Sequence, residues 1–445
     1  MASDQTLSVP RIEPTHVHDV IGSSLLADGM PFVVDLDRSK GARLHDSLSG
    51  RDYLDFFNYF ATQPLGHNHP AMLDPEFVAH LGRVAITNPS NSDFYTAEMA
   101  AFVATLKETA QPASLPHAFF VSGGALAVEN GLKAAFDWKF QKRAARGLPD
   151  DENLSILHFR HAFHGRSGYT MSMTNTDPHK TKWFPKFDWP RVDAAPVTFP
   201  LRENLAVVED LERKSLEQIH AAIERDGDRI AGLIVEPIQG EGGDNHFRPE
   251  YLQALREVCD ENEMLMIVDE VQTGTGTSGR WWAYQHHGIE PDILCFGKRM
   301  QVCGILAGAR LDEVESVFQS SSRINSTWGG SLVDMVRATR YLQVIESDQL
   351  VENAARMGDH FVSRLSELQA EFSGLMSNVR GRGLFIAFTL PDGETRNRVI
   401  EKCMEAGVLM IGSGPTSVRA RPPLTVTRAD VDAGIDVLRA ALKSF

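Results

Sequence analysis

Ile267-Val268-Asp269-Glu270-Val271-Gln272-Thr273-Gly274 is an apolar run that ends in two carboxylates. About thirty residues later a second apolar run ends in Phe296-Gly297-Lys298-Arg299. Each reads as a strand (264–270 and 292–296) that delivers charge at its carboxyl end, where open α/β sheets bind ligands. Working back, residues 118–121 form another short apolar run, and Ser122-Gly123-Gly124-Ala125 follows it. Val128, Leu132, Ala135 and Phe136 then recur at helical spacing. Further strands are expected at 155–159 and 230–236. Strands alternating with helices predict an α/β fold with a mainly parallel sheet covered on both faces.

The rest of the chain is consistent with that core. Its 445 residues imply two or three lobes. A hairpin is expected over 42–56 after an arm with a short helix at 16–26. Beyond about residue 340 the pattern becomes α+β. Helices are expected at 338–344, 353–372 and 395–405, with strands at 383–390, 408–411 and 418–421. A last helix opens at Thr427, with Asp430 three residues on as in a capping box. A net charge of −15 disfavours phosphate backbones and anionic lipid as partners, so neither nucleic acid nor membrane is expected. Four cysteines without a CxxC pair read as reduced thiols. No apolar run is long enough to span a bilayer, and the start, MASDQTLSVP, lacks the apolar stretch of a signal peptide. The expected location is the cytoplasm.

Each motif has a plain structural reading on its own. Ser122–Ala125 can be a tight strand-to-helix turn, Asp269 a solvated strand end, and Lys298 a surface charge. Together they meet the three needs of pyridoxal 5′-phosphate. Backbone N–H groups at a helix start suit the phosphate, a carboxylate suits the pyridine nitrogen, and a lysine suits the aldehyde. The histidines at 158, 161 and 164 fit neither one strand face nor a helical pair, so no metal site is expected. His286-His287 reads as helix surface, His67 and His69 as an entrance loop, and Cys295 and Cys303 as packing. Glu236 is expected to hydrogen-bond within the site rather than move protons.

Leu65-Gly66-His67-Asn68-His69-Pro70, Val235-Glu236-Pro237, Asp269 through Gly274 and Gly297-Lys298 occur in the order of the class III aminotransferases. The chain resembles that family of fold-type I pyridoxal-phosphate enzymes from about residue 15 to its end. His164-Gly165-Arg166-Ser167-Gly168-Tyr169-Thr170, the FPKFDWP segment at 184–190, EPIQGEGG at 236–243, Asn325-Ser326-Thr327-Trp328-Gly329-Gly330 and Arg421-Pro422-Pro423-Leu424-Thr425 are similar to its branch acting on the ε-amine of L-lysine. The resemblance implies a large domain built on a seven-stranded-type sheet (61–335). It also implies a smaller α+β domain (336–445), joined by an N-terminal arm and segment (1–60).

Residue by residue, the resemblance implies that Lys298 is the Schiff-base lysine and proton carrier and that Asp269 holds the pyridine N–H. Gln272 contacts the ring hydroxyl, Gly124 and Ala125 bind the phosphate, and Phe163 stacks on the ring. Thr327 is implied as a phosphate ligand given to the neighbouring subunit, hence a homodimer with shared sites or a dimer of dimers. With L-lysine and 2-oxoglutarate as substrates, Arg421 anchors the acceptor carboxylate near the cofactor. Glu241 pairs with Arg421 while lysine is bound, Arg166 takes the distal carboxylate, and Asn325 adds a polar contact. Arg419, two residues from Arg421, either competes for that carboxylate or faces the lobe interface. The phosphate turn lacks the hydroxyl common in the family, so backbone N–H groups must carry the binding. Residues 411–417 are expected to be a mobile loop beside the substrate. Ornithine, 4-aminobutyrate or another diamine as donor, an aminomutase, and a non-catalytic cofactor binder are the alternatives.

Overall fold

The computed structural model describes residues 9–149 and 153–445. Its centre is a seven-stranded sheet. In spatial order the strands are His117–Val121, Cys303–Ala307, Ile293–Phe296, Leu265–Asp269, Ile230–Val235, Ser155–Phe159 and Arg191–Val192. Neighbours are parallel from Ile293–Phe296 to Arg191–Val192. Only Cys303–Ala307 runs antiparallel to both of its neighbours.

The register explains the double cover. Met266 and Val268 face one apolar cluster, with Leu252 and Leu255 of helix Pro249–Glu261 and Ile219 of helix Leu201–Asp226. Leu265 and Ile267 face the other, with Val128, Leu132 and Ala135 of helix Gly124–Ala145. Successive side chains of a strand point to opposite faces, so a strand covered on both sides must be apolar throughout. All five residues of Leu265–Asp269 are buried. Asp269, as the last, is the first that can reach a ligand.

A second core joins the two ends of the chain. Ala42, Leu54, Phe56 and Leu65 pack with Phe361, Leu365, Val399, Val431, Ile435 and Leu438. The sheet Val34–Lys40, Arg43–Asp46, Asp52–Asp55 is completed by Val408–Leu409, which pairs parallel to Asp52–Asp55. A separate antiparallel sheet holds Ser377–Arg382, Phe385–Thr389, Ser417–Ala420 and Ile411–Ser413 in that order. Helix Arg428–Leu442 starts as expected. Thr427 Oγ1 accepts from the Asp430 N–H at 3.2 Å, and the Asp430 carboxylate accepts from the Thr427 N–H at 3.2 Å.

Several expectations are revised. The N-terminal helix is a single short piece, Val17–Gly22, preceded by a 3-10 turn. Residues 411–417 are not a free loop. They form a hairpin anchored by Ser413 Oγ donating to Gly240 O at 2.6 Å and the Gly414 N–H donating to Glu241 O at 3.0 Å. His287 is buried rather than on a helix surface, and burial pushes its pKa down to about 3. Among the described residues, no helix is long and apolar enough to cross a membrane.

Candidate active site

A cleft of about 320 Å³ opens at the carboxyl ends of the parallel strands. Gly124, Ala125, Phe163, His164, Arg166, Glu236, Asp269, Gln272 and Lys298 all line it. Lys298 follows strand Ile293–Phe296 in a turn that leads into the antiparallel strand, and its backbone is left-handed (φ 46°). Burial, reinforced by the Arg419 guanidinium, pushes its amine down to about 8. Gln301 Nε2 donates to Lys298 O at 3.1 Å and to Thr62 O at 2.7 Å, tying this turn to the N-terminal segment. That segment contains four consecutive left-handed residues, Asn58 to Ala61 (φ 49–66°). Side chains cost ~1–2 kcal/mol each in that region. Asp55 Oδ1, accepting from the Phe57 and Asn58 N–H groups at 3.0 and 2.7 Å, helps to hold them there.

Asp269 is locked in place. Its Oδ2 lies 2.7 Å from His164 Nδ1, and its Oδ1 accepts from the Val271 N–H at 3.0 Å. The sequence places His164 at the head of a motif but does not show its role, because its partner lies 105 residues away. Burial lifts the Glu236 carboxyl to about 7. Its two oxygens accept from the Phe163 and Gly240 N–H groups at 2.9 and 3.0 Å, which fixes the backbone that carries the Phe163 ring.

Gly124 and Ala125 open a 22-residue helix whose first N–H groups and positive dipole end face the cleft. The packing around them is tight. A Cβ on Gly165, where φ is +125°, would lie 2.5 Å from Ala125 Cβ. Buried Glu129 organises the neighbouring turn, accepting from Ser167 Oγ at 2.9 Å and the Thr170 N–H at 3.2 Å.

The charges around Glu241 differ from expectation. Glu241 Oε2 accepts from Arg419 Nη2 at 2.8 Å, and its Oε1 accepts from Lys180 Nζ at 2.5 Å. Burial raises this carboxyl, but the two cations outweigh burial and hold it down at about 2. Arg421 is not its partner. The strand ends at Ala420, and the Arg421 N–H turns toward the N-terminal segment to donate to Phe56 O at 2.7 Å. The Arg421 guanidinium is then buried on Asp244, over the Phe385 ring and beside the Ile386 carbonyl. Arg421 is thus paired within the core, its Nη2 also 3.5 Å from Gln272 Oε1, and the arginine paired with Glu241 is Arg419. Its Nη1 lies 3.4 Å from Gln272 Oε1.

Arg166 stands exposed at the rim. Asn325 and Thr327 are not brought to this cleft. Both are exposed on a segment held by Ser92 Oγ on Ser326 O and by the Asn91 N–H on Trp328 O.

The donor set fits pyridoxal phosphate. A helix start suits its phosphate, a buried strand-end carboxylate its ring nitrogen, and an amine of lowered pKa its aldehyde, all around one cleft of suitable size.

Comparison with known proteins agrees. Residues 26–442 match the family model for aminotransferase class-III. The L-lysine-epsilon aminotransferase of Mycobacterium tuberculosis is 51% identical over 431 residues, covering 96% of each chain. That of Streptomyces clavuligerus is 45% identical over 98% of this chain and 95% of the relative. A solved lysine aminotransferase from M. tuberculosis superposes with a TM-score of 0.95 at 50% identity, covering 97% of this chain and all of that one. The human mitochondrial 4-aminobutyrate aminotransferase is more distant, at 30% identity over 89% of this chain and 82% of its own. With its fold, its cleft and its sequence in agreement, the chain belongs to the class III aminotransferase family.

Proposed function

We propose that this chain transfers the ε-amino group of L-lysine to 2-oxoglutarate. The products are L-2-aminoadipate 6-semialdehyde, which cyclises to piperideine-6-carboxylate, and L-glutamate. The cofactor is pyridoxal phosphate. The observation that carries the choice of substrates is the Arg419–Glu241 pair beside Lys298. A donor reacting through its terminal amine places only methylenes near the reacting carbon. An α-keto diacid places a carboxylate there. One site serves both if its arginine is neutralised by a carboxylate of the protein in the first case and by the substrate in the second. An unpaired guanidinium in a buried site would otherwise oppose lysine binding. An aminomutase takes no acceptor, and a mere cofactor binder needs neither residue. The relatives named for lysine transfer are 45–51% identical, against 30% for the human 4-aminobutyrate enzyme.

Bound in the cleft, pyridoxal phosphate supplies an aldehyde that condenses with amines and a ring that accepts the electron pair left when the amine-bearing carbon loses its proton. The protein supplies the rest. N–H groups of Gly124 and Ala125 hold the phosphate. Asp269, oriented by His164, would accept the ring N–H. Phe163 covers the ring face and Gln272 the ring hydroxyl. Lys298 Nζ would take the proton from the amine-bearing carbon and deliver it to the carbon that was the cofactor's aldehyde. Arg419 binds the acceptor's proximal carboxylate through two parallel N–H bonds, and Arg166 takes the distal one.

We further infer a homodimer in which Thr327 and Asn325 of the partner subunit complete each cleft. The exposure of that segment, with Trp328, Phe94 and Tyr95 beside or near it, supports the reading. We assign residues 61–335 to the cofactor lobe, and 1–60 with 336–445 to the smaller one. Four free thiols fit the cytoplasm.

The test is a pair of half-reactions on cofactor-loaded protein. L-Lysine alone should convert the bound cofactor to its pyridoxamine form, and 2-oxoglutarate should reverse this. Conversion by ornithine or 4-aminobutyrate but not by lysine would move the donor assignment.

A further inference from the structure

Glu241 is bound by two cations, and only one of them is explained by the exchange of substrates. Arg419 lies inside, its side chain 3% exposed, on one carboxylate oxygen. Lys180 lies outside, 29% exposed, on the other. The backbone at both ends of the contact is fixed. Glu241 O accepts from the Gly414 N–H, and the preceding Gly240 N–H is held by Glu236. Lys180 ends the short turn Pro178–Lys180, whose His179 N–H is capped by Asp177 Oδ1 at 2.9 Å. The Lys180 ammonium also lies 5.7 Å from the centroid of the Phe163 ring, at the wall of the cleft. Any release of Arg419 is therefore a side-chain rotation of Glu241 about a fixed base.

We propose that Lys180 determines acceptor specificity by holding Glu241 once Arg419 is given over to the substrate carboxylate. This rests on the reading of Arg419 and Glu241 given above. An ammonium carries three N–H donors, and one engages Glu241 Oε1. As Arg419 lets go of Oε2, Lys180 can take that oxygen too. The carboxylate rotates outward without losing its counter-charge, and the guanidinium is exposed to the acceptor. When lysine binds, no rotation occurs, and the contact is the same before and after. Lys180 thus acts on one half-reaction only.

The experiment uses holoenzyme loaded with pyridoxamine 5′-phosphate, so the acceptor step runs whatever the donor. Lys180→Met should weaken 2-oxoglutarate in the single-turnover reaction on the order of ten-fold, the scale of one charge-assisted hydrogen bond. Its maximal rate should be little changed. Calorimetric binding of glutarate, which cannot react, should weaken in parallel, and Lys180→Arg should restore both. The lysine half-reaction should stay within about two-fold. In a Glu241→Ala background, Lys180→Met should have no further effect. An equal loss in that background would mean that Lys180 touches the acceptor directly, and equal losses in both half-reactions would mean a structural role. Either outcome, or no change in glutarate binding, overturns the proposal. If Glu241→Ala alone leaves the discrimination between lysine and 2-oxoglutarate intact, the underlying exchange fails, separately from Lys180.

Discussion

The amine of Lys298 is set by burial and by charged neighbours of both signs, and the opposition of the two strongest can be measured. Burial and the Arg419 cation push it down from 10.5 to about 8, while Glu241 pushes it up. Only the neutral amine attacks an aldehyde. At pH 7.5 a group titrating near 8 is about one quarter neutral, whereas one at 10.5 is ~0.1% neutral, a difference of about two-hundred-fold. The rate at which cofactor-free protein captures pyridoxal phosphate, followed by absorbance across pH, should therefore rise with a midpoint near 8. Arg419→Met should move that midpoint up and Glu241→Gln should move it down. The same shift bears on stability. The folded pKa lies below the unfolded one, so the unfolded chain binds the proton more readily between about 8 and 10.5. This group costs the cofactor-free fold about 3 kcal/mol below pH 8 and nothing above about 10.5. A midpoint near 10.5, or variants that shift the midpoint in the same direction, would refute the reasoning.

Two further outcomes follow from the geometry. Arg421→Leu should leave Asp244 buried without its ion-pair partner, with only the more distant Arg419 and Arg380 cations, and lower stability by about 3–5 kcal/mol. Arg419→Leu should cost clearly less, because Glu241 keeps Lys180, and equal losses in thermal unfolding would contradict these assignments. Gly165→Ala should weaken pyridoxal phosphate binding roughly ten- to hundred-fold in a titration of cofactor-free protein. Its new Cβ would lie 2.5 Å from Ala125 Cβ in a left-handed backbone, and unchanged affinity would contradict the cradle.

Local signals carried much of the reading. Four of the five parallel strands were legible because a strand covered on both faces is a continuous apolar run, whereas Arg191–Val192, two residues at the sheet edge with the arginine exposed, was not. Asp269 and Lys298 were legible because they break such runs at their carboxyl ends. Cys303–Ala307 was not, because its meaning depends on lying between two strands, one of them more than 180 residues back. Ser377–Arg382 is polar and reads as loop, although it packs on helix Leu350–Glu371. The choice between Arg419 and Arg421 turned on where one strand stops. Residues two apart share a face only within the strand, and Arg421 lies just beyond it. Lys180 carries no motif and His164 only heads one, and each acquires its role from a carboxylate that the fold brings from far along the chain.

The pairing of Asp52–Asp55 with Val408–Leu409 also has a consequence for how the chain is made. A ribosome adding ~5–20 residues per second completes the N-terminal hairpin about 20–70 s before its last partner strand emerges. During that interval the hairpin has an open edge, and Leu54 and Phe56 lack the residues that later bury them. The cofactor lobe, encoded in between, can form first. The N-terminal segment must therefore wait on the ribosome's output before its edge is paired and its apolar side chains are covered.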